Sequence, residues 1–143
     1  MSAKERNLLL LAFAWLVAIA ATAGSLYFSQ VRGFIPCELC WYQRILMYPL
    51  VIILGIAVYK ADVRIRPYVV ALAGVGALIS TLHYLEQKLP GFHPTACKAT
   101  PIPCNLQYVN YFGFVTIPLM ALTAFLLILL AMVLIRPAAS DRA

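Results

Sequence analysis

Charge is what this chain has least of. Only 11% of its 143 residues are charged, and only five are acidic. A soluble domain usually carries about a quarter charged residues, so a freely soluble fold is excluded. The mean hydropathy of +0.89 and the 64% hydrophobic content leave an integral membrane protein with little mass outside the bilayer. The chain has no internal repeat and no low-complexity tract, which excludes solenoid and linker architectures. A net charge of +6 does not form a basic stripe, because the positive residues fall at the ends of apolar runs. That placement argues against nucleic-acid binding and for a topology set by basic loops.

Four apolar stretches are long enough to cross a bilayer, for which about 20 residues suffice. The expected spans cover residues 8–28, 41–59, 68–85 and 112–135, with outer loops at 29–40 and 86–111. The first could be taken for a secretory leader, but an h-region is only about 7–15 residues long, so an uncleaved first helix is expected. Ala18, Ala20, Ala21, Ala23 and Gly24 in the first span, and Gly74 and Gly76 in the third, provide small surfaces for close helix approach. Pro49 lies inside the second span, where it removes a ladder donor and favours a kink, and Pro67 suits the first turn of the third. Pro90, Gly91, Pro94, Pro101 and Pro103 keep the long loop irregular. The expected fold is one all-α membrane domain over residues 1–143, a four-helix bundle.

Four crossings place both termini on one side. Lys4, Arg6, Lys60, Arg64, Arg66, Arg136 and Arg142 fall there, seven in all, against four (Arg32, Arg44, Lys88 and Lys98) on the other. The bias puts the termini in the cytoplasm. All four cysteines then face the outer, oxidising side, where disulfides form and persist.

The cysteines come as Cys37/Cys40 and Cys97/Cys104. A Cys-x-x-Cys pair closes a small disulfide and lowers a thiol pKa. Cys40 is expected near a helix start, where free N–H groups and the dipole favour a thiolate. Arg44 follows four residues later on the same face as a permanent cation. It can stabilise the Cys40 thiolate, donate to a quinone carbonyl, or do both; the rival reading is a side chain that snorkels to the headgroups. An intramembrane charge beside Cys-x-x-Cys favours the chemical roles. Electrons would thus pass from sulfur to a lipid-soluble acceptor. A zinc site is the rival for the cysteines, with Cys97 and Cys104 completing an all-cysteine set, but their wide spacing is unlike a zinc knuckle, and no metal is expected. Cys97 and Cys104 close a small proline-rich loop. A structural staple and an exchangeable disulfide are both open, and a second redox pair on the same side tips the choice toward a relay. His83 and Gln87 share a face at the outer end of the third span. A histidine bonded between helices is the plainer reading; a polar contact to the acceptor, or a proton carrier, is the functional one. His93 is expected to be solvated. Trp41, Tyr42, Tyr48 and Tyr59 fit an interfacial belt, though Trp41 and Tyr42 also suit the flanks of a ring.

Pro36, Cys37, Cys40, Gln43 and Arg44, with the run Ile35 to Pro49, resemble the motif of the DsbB disulfide-bond-formation proteins, in the short-loop branch known as BdbC. Four spans, two outer cysteine pairs, and His83 with Gln87 extend the resemblance over nearly the whole chain. It implies a quinone-dependent protein thiol oxidoreductase in a bacterial cell membrane. A DsbA-like thioredoxin-fold dithiol oxidase would attack the Cys97–Cys104 disulfide, at Cys97 first. Electrons would move through a Cys37–Cys104 exchange to Cys37–Cys40, and Cys40 would then reduce menaquinone or ubiquinone held by Arg44, His83 and Gln87. The spacing of Cys97 and Cys104 is much shorter than in better-known members. The family's polar residue near the end of the first span maps to Ser29 or Gln30. Three other readings are weaker. A transmembrane reductant carrier of the DsbD kind needs cysteines in the inner segments, which have none. A disulfide-stapled scaffold or zinc-bound adaptor leaves the Cys40/Arg44 pairing unexplained. A vitamin-K-epoxide-reductase-like activity does not suit a pair at the start of the second span.

Overall fold

The computed structural model describes residues 1–35, 37–89, 91 and 110–136. Four helices long and apolar enough to cross a membrane account for most of them. Helix α1 spans Ala3–Leu26 and runs into a π-helical turn, Tyr27–Val31. Its start is fixed by a capping box. The Ser2 hydroxyl accepts from the Glu5 amide at 3.2 Å, and the Glu5 carboxylate accepts from the Ser2 amide at 2.9 Å. Helix α2, Glu38–Lys60, continues through Pro49 and ends on Ala61 in the left-handed region (φ 52°). The Asp62 carboxylate accepts from the Arg64 amide and opens a short 3-10 turn, Val63–Ile65, from which α3, Arg66–Lys88, follows with Pro67 in its first turn.

The fourth helix starts later than its apolar pattern suggests. Strand β1 (Asn110–Tyr111) pairs antiparallel with β2 (Val115–Thr116), and α4 spans Ile117–Leu134. Phe112 and Gly113 form the turn with φ values of 55° and 80°, which no helix can contain. The expected span from residue 112 is therefore corrected to Ile117, with Pro118 in the first turn.

Helix α1 packs against α2 and α4, and α3 packs against the same two, so sequence neighbours are spatial neighbours around a four-helix ring. The core is filled by Leu11, Ala14 and Ala18 of α1, Leu50 and Leu54 of α2, Val69 and Ala73 of α3, and Phe125, Ile128 and Met132 of α4. Outside it, Leu9, Leu16, Ile52, Ile56, Leu78, Leu130 and Val133 are exposed around the bundle. Apolar side chains on both faces of every helix suit a lipid surround.

One end of the bundle is tied by polar side chains. The Asn7 amide donates to the Arg136 carbonyl at 2.8 Å and accepts from the Arg136 amide at 3.2 Å. Arg66 Nε donates to the Met132 carbonyl at 2.6 Å, where α4 leaves its carbonyls unpaired. The N-terminus, the Lys60–Arg66 connection and the end of α4 therefore meet at this end. The start of α2, with its cysteines, lies at the other.

Of the expected close-packing glycines, Gly76 fits the role. A Cβ there would run into the Phe125 ring, whereas one on Gly74 meets nothing within 4 Å. Gly76→Ala should destabilise the detergent-solubilised protein by about 1–3 kcal/mol, the usual range for overpacking. Gly74→Ala should not. Equal melting temperatures for the two variants would remove the Gly76–Phe125 contact as a packing constraint.

Candidate thiol–disulfide site

Cys37 is the residue before α2, in extended conformation (φ −77°, ψ 178°), and its carbonyl accepts from the Trp41 amide at 3.1 Å. Cys40 lies in the first helical turn. An extended cap followed by one turn brings the two sulfurs to 3.2 Å as free thiols. Cys37 is buried and Cys40 partly so. The sulfur contact with Cys40 holds the Cys37 thiol well below the usual thiol range; burial opposes this, and His83 adds to it. The favoured thiolate is thus on the capping cysteine, just outside the span. It makes direct contact with His83, which the sequence pattern gives no means of seeing.

His83 comes from α3 and is 1% exposed. Its Nε2 is 3.5 Å from Cys37 Sγ, and its Nδ1 is 3.0 Å from the Gln43 amide nitrogen. Gln43 sits one turn after Cys40 on α2, buried at 6% exposure. The result is a buried row from Gln43 through His83 to Cys37 and Cys40 that crosses between two helices.

Arg44 points the other way around α2, toward α1. Its Nε donates to Ser25 Oγ at 3.0 Å and its Nη2 to the Ser25 carbonyl at 3.3 Å. The Tyr48 hydroxyl donates to Ser25 Oγ as well, at 3.2 Å. The guanidinium carbon lies 5.2 Å from the centroid of the Trp41 ring, a cation–π arrangement. Trp41 is half exposed at the rim, and the Tyr42 hydroxyl donates to the Glu38 carboxylate at 2.6 Å. Neither ring lines the interior. Tyr48 does.

Between these two networks lies a cavity of about 150 Å³. Cys37, Cys40, Arg44, His83 and Gln87 all line it, so five of the seven predicted site residues meet in one place. Cys97 and Cys104, like His93, lie outside the described residues. The rest of the wall is largely apolar, with Ala21, Gly24 and Phe28 on one side and Ala121 and Phe125 on another. An apolar cavity of about this size accepts one benzene ring. An apolar slot edged by an arginine, a tyrosine, a glutamine and a histidine suits a flat ring bearing carbonyl oxygens.

Three residues of the site were given no site role by the sequence, although Gln43 is part of the family motif and Tyr48 fits the aromatic belt. Gln43 was legible in principle, as the amide one turn from Cys40 in an apolar run. Tyr48 follows Arg44 by one turn. Ser25 carries no signal, because its role depends on how α1 meets α2. Ser29, one of the two expected polar positions, lines the cavity but donates to carbonyls of its own helix, Ser25 at 3.2 Å and Leu26 at 3.4 Å.

The chain matches the family model described as "Disulfide bond formation protein DsbB" over residues 5–135. It is 53% identical over 137 residues to disulfide bond formation protein C of Bacillus subtilis, covering 96% of this chain and 99% of that one. A probable disulfide formation protein of Oceanobacillus iheyensis is 51% identical over 134 residues, 92% of this chain and 90% of its own length. One of Coxiella burnetii is 46% identical over 116 residues, 80% and 79% respectively. No solved structure matches the chain.

Removing the Ser25 hydroxyl leaves Arg44 Nε and the Tyr48 hydroxyl without their shared acceptor. Ser25→Ala should lower stability by about 1–3 kcal/mol, the range for orphaning buried donors. Ser29→Ala should change it by only a few tenths. Thermal unfolding in detergent measures both, and a Ser25→Ala protein as stable as Ser29→Ala would mean that Arg44 does not rely on this bond.

Proposed function

Because the chain belongs to the DsbB family of disulfide bond formation proteins, we propose that it reoxidises an extracytoplasmic thioredoxin-fold dithiol oxidase of the DsbA type and passes the electrons to a membrane quinone. Its role in disulfide formation at a membrane is the family's. The partner, the acceptor and the residue roles are this reading's own. The observation that carries it is the shared cavity, in which both sulfurs of the pair, Arg44 and His83 border an apolar space of ring size.

Cys97 and Cys104 receive the partner's electrons by exchange, and Cys37 and Cys40 collect them. Each turnover closes one sulfur–sulfur bond and releases two electrons and two protons. Menaquinone or ubiquinone, when bound, supplies the two-electron, two-proton acceptor. Cys37, as the lower-pKa thiol, is the attacking sulfur within the pair. Arg44, anchored by Ser25, presents a fixed cation to a ring oxygen without needing to reorganise. His83, oriented by Gln43, stands beside the sulfur that must lose its proton. Gln87 adds a polar contact on the α3 wall. The basic end of the bundle faces the cytoplasm, and the thiol end faces the oxidising compartment of a bacterial cell membrane.

Purification with native lipid, extraction of quinone, and oxidation of a reduced thioredoxin-fold substrate test the reading together. Redox-inert cysteines with no extractable quinone would leave the disulfide-stapled scaffold instead. Within the assay, Arg44→Ala should raise the KM for quinone roughly tenfold or more, as expected for a lost charged hydrogen bond of about 1.5–3 kcal/mol, with membrane insertion unchanged. An unaltered quinone dependence takes Arg44 out of the site. Cys97→Ser or Cys104→Ser should abolish oxidation of the partner while quinone stays bound. Normal turnover of the partner by either variant would overturn the order of the relay.

A further inference from the structure

We propose that the reduced Cys37–Cys40 pair, together with His83, binds a thiophilic divalent cation of the zinc class, and that the bound ion and the closed disulfide exclude one another. Cys37 Sγ, Cys40 Sγ and a ring nitrogen of His83 all lie within 4.8 Å of one another. The sulfurs are 3.2 Å apart, and Nε2 is 3.5 Å from Cys37 Sγ. Tetrahedral zinc, with bonds of about 2.3 Å to sulfur and about 2.0 Å to nitrogen, needs edges of about 3.8 Å between sulfurs and about 3.6 Å from sulfur to nitrogen. The Cys37–His83 sulfur–nitrogen edge is already present, and the Cys40 sulfur lies within 4.8 Å of the His83 ligand nitrogen. The sulfur–sulfur edge must open by about half an ångström, which a small χ1 adjustment at Cys40 supplies.

This donor set differs from the all-cysteine one that the sequence offers. Among the described residues, the third donor beside the pair is a histidine from the next helix. Histidine ligands need their second nitrogen held, and Gln43 contacts His83 Nδ1 at 3.0 Å. A glutamine serves both states of the site. With its amide nitrogen toward Nδ1 it donates, leaving the ring proton on Nε2 toward the Cys37 sulfur. With its oxygen toward Nδ1 it accepts, freeing the Nε2 lone pair for a metal. A carboxylate or an ammonium at this position would fix only one of these.

The three donors stand on the cavity wall, so the fourth coordination position opens into the cavity, to water or a small ligand. Arg44 across the cavity opposes a cation, but its guanidinium is turned to Ser25 and Trp41, and the two thiolates balance the charge of the ion. Binding forms two metal–sulfur bonds and one metal–nitrogen bond, releases the remaining thiol protons, and transfers no electrons. Oxidation joins the same two sulfurs, so both thiolate donors disappear. The ion thus acts as a reversible inhibitor that captures only the reduced enzyme. Nothing here depends on which electron acceptor the protein uses.

The test uses the full-length Cys97→Ser/Cys104→Ser protein in detergent, reduced and freed of reductant without oxygen, with Co²⁺ as the optical probe. One Co²⁺ per chain should bind, with sulfur-to-cobalt charge-transfer absorption in the near ultraviolet, and Zn²⁺ should displace it. His83→Ala should weaken binding by more than tenfold, and Gln43→Ala by roughly tenfold, the usual effect of losing the group that holds a ligand. Closing the Cys37–Cys40 disulfide should abolish it. The proposal is overturned by the absence of stoichiometric charge-transfer absorption, by unchanged affinity in His83→Ala, or by binding that survives oxidation. Where His83→Ala does not give monodisperse protein, the near-isosteric Cys40→Ser decides, and its retaining the wild-type affinity also overturns the proposal.

Discussion

A guanidinium inside an apolar bundle has to be satisfied by its neighbours, and the site is built around that requirement. Arg44 is only partly exposed, and its five N–H groups need acceptors. Ser25 meets the need from α1 with two oxygens, its hydroxyl and its backbone carbonyl, while Trp41 offers a ring face. Holding Arg44 against α1 leaves the space between Arg44 and the cysteines open. The cavity is thus the volume left between two polar networks, each anchored on a different neighbouring helix.

The second network faces α3. Gln43 and Arg44 are adjacent residues, so their side chains leave α2 about 100° apart and reach opposite neighbours. One helical turn therefore ties α2 to both flanking helices, and the cysteines stand at its head. The Cys37 anion is favoured first by the sulfur contact with Cys40 and then by His83, which reaches it from α3.

The ends of the bundle are specialised for different work. Where α1 begins and α4 finishes, Asn7 and Arg66 satisfy backbone groups that the helices leave over, and this is a purely structural use of polar side chains. At the thiol end the polar side chains surround a void. Two sulfurs and an imidazole converging on a void accommodate either a new sulfur–sulfur bond or a metal ion, and the redox state of the pair selects between them.

The sequence alone determined the four spans, the clustering of basic residues at one end and the placing of a thiol pair with an arginine at the head of the second span. These rest on composition and on periodicities within one segment, and such local properties survive in any packing. It overreached at the start of α4, because a two-residue pairing and a left-handed Phe112 override an unbroken apolar run. It also favoured Gly74 and Gly76 equally, although only Gly76 faces an aromatic ring. What tertiary structure decided was every contact between helices: Ser25 under Arg44, Gln43 behind His83, and His83 beside the cysteine pair. Helix rotation and register set those contacts, and they follow from how side-chain volumes interlock across the bundle, which no single segment encodes.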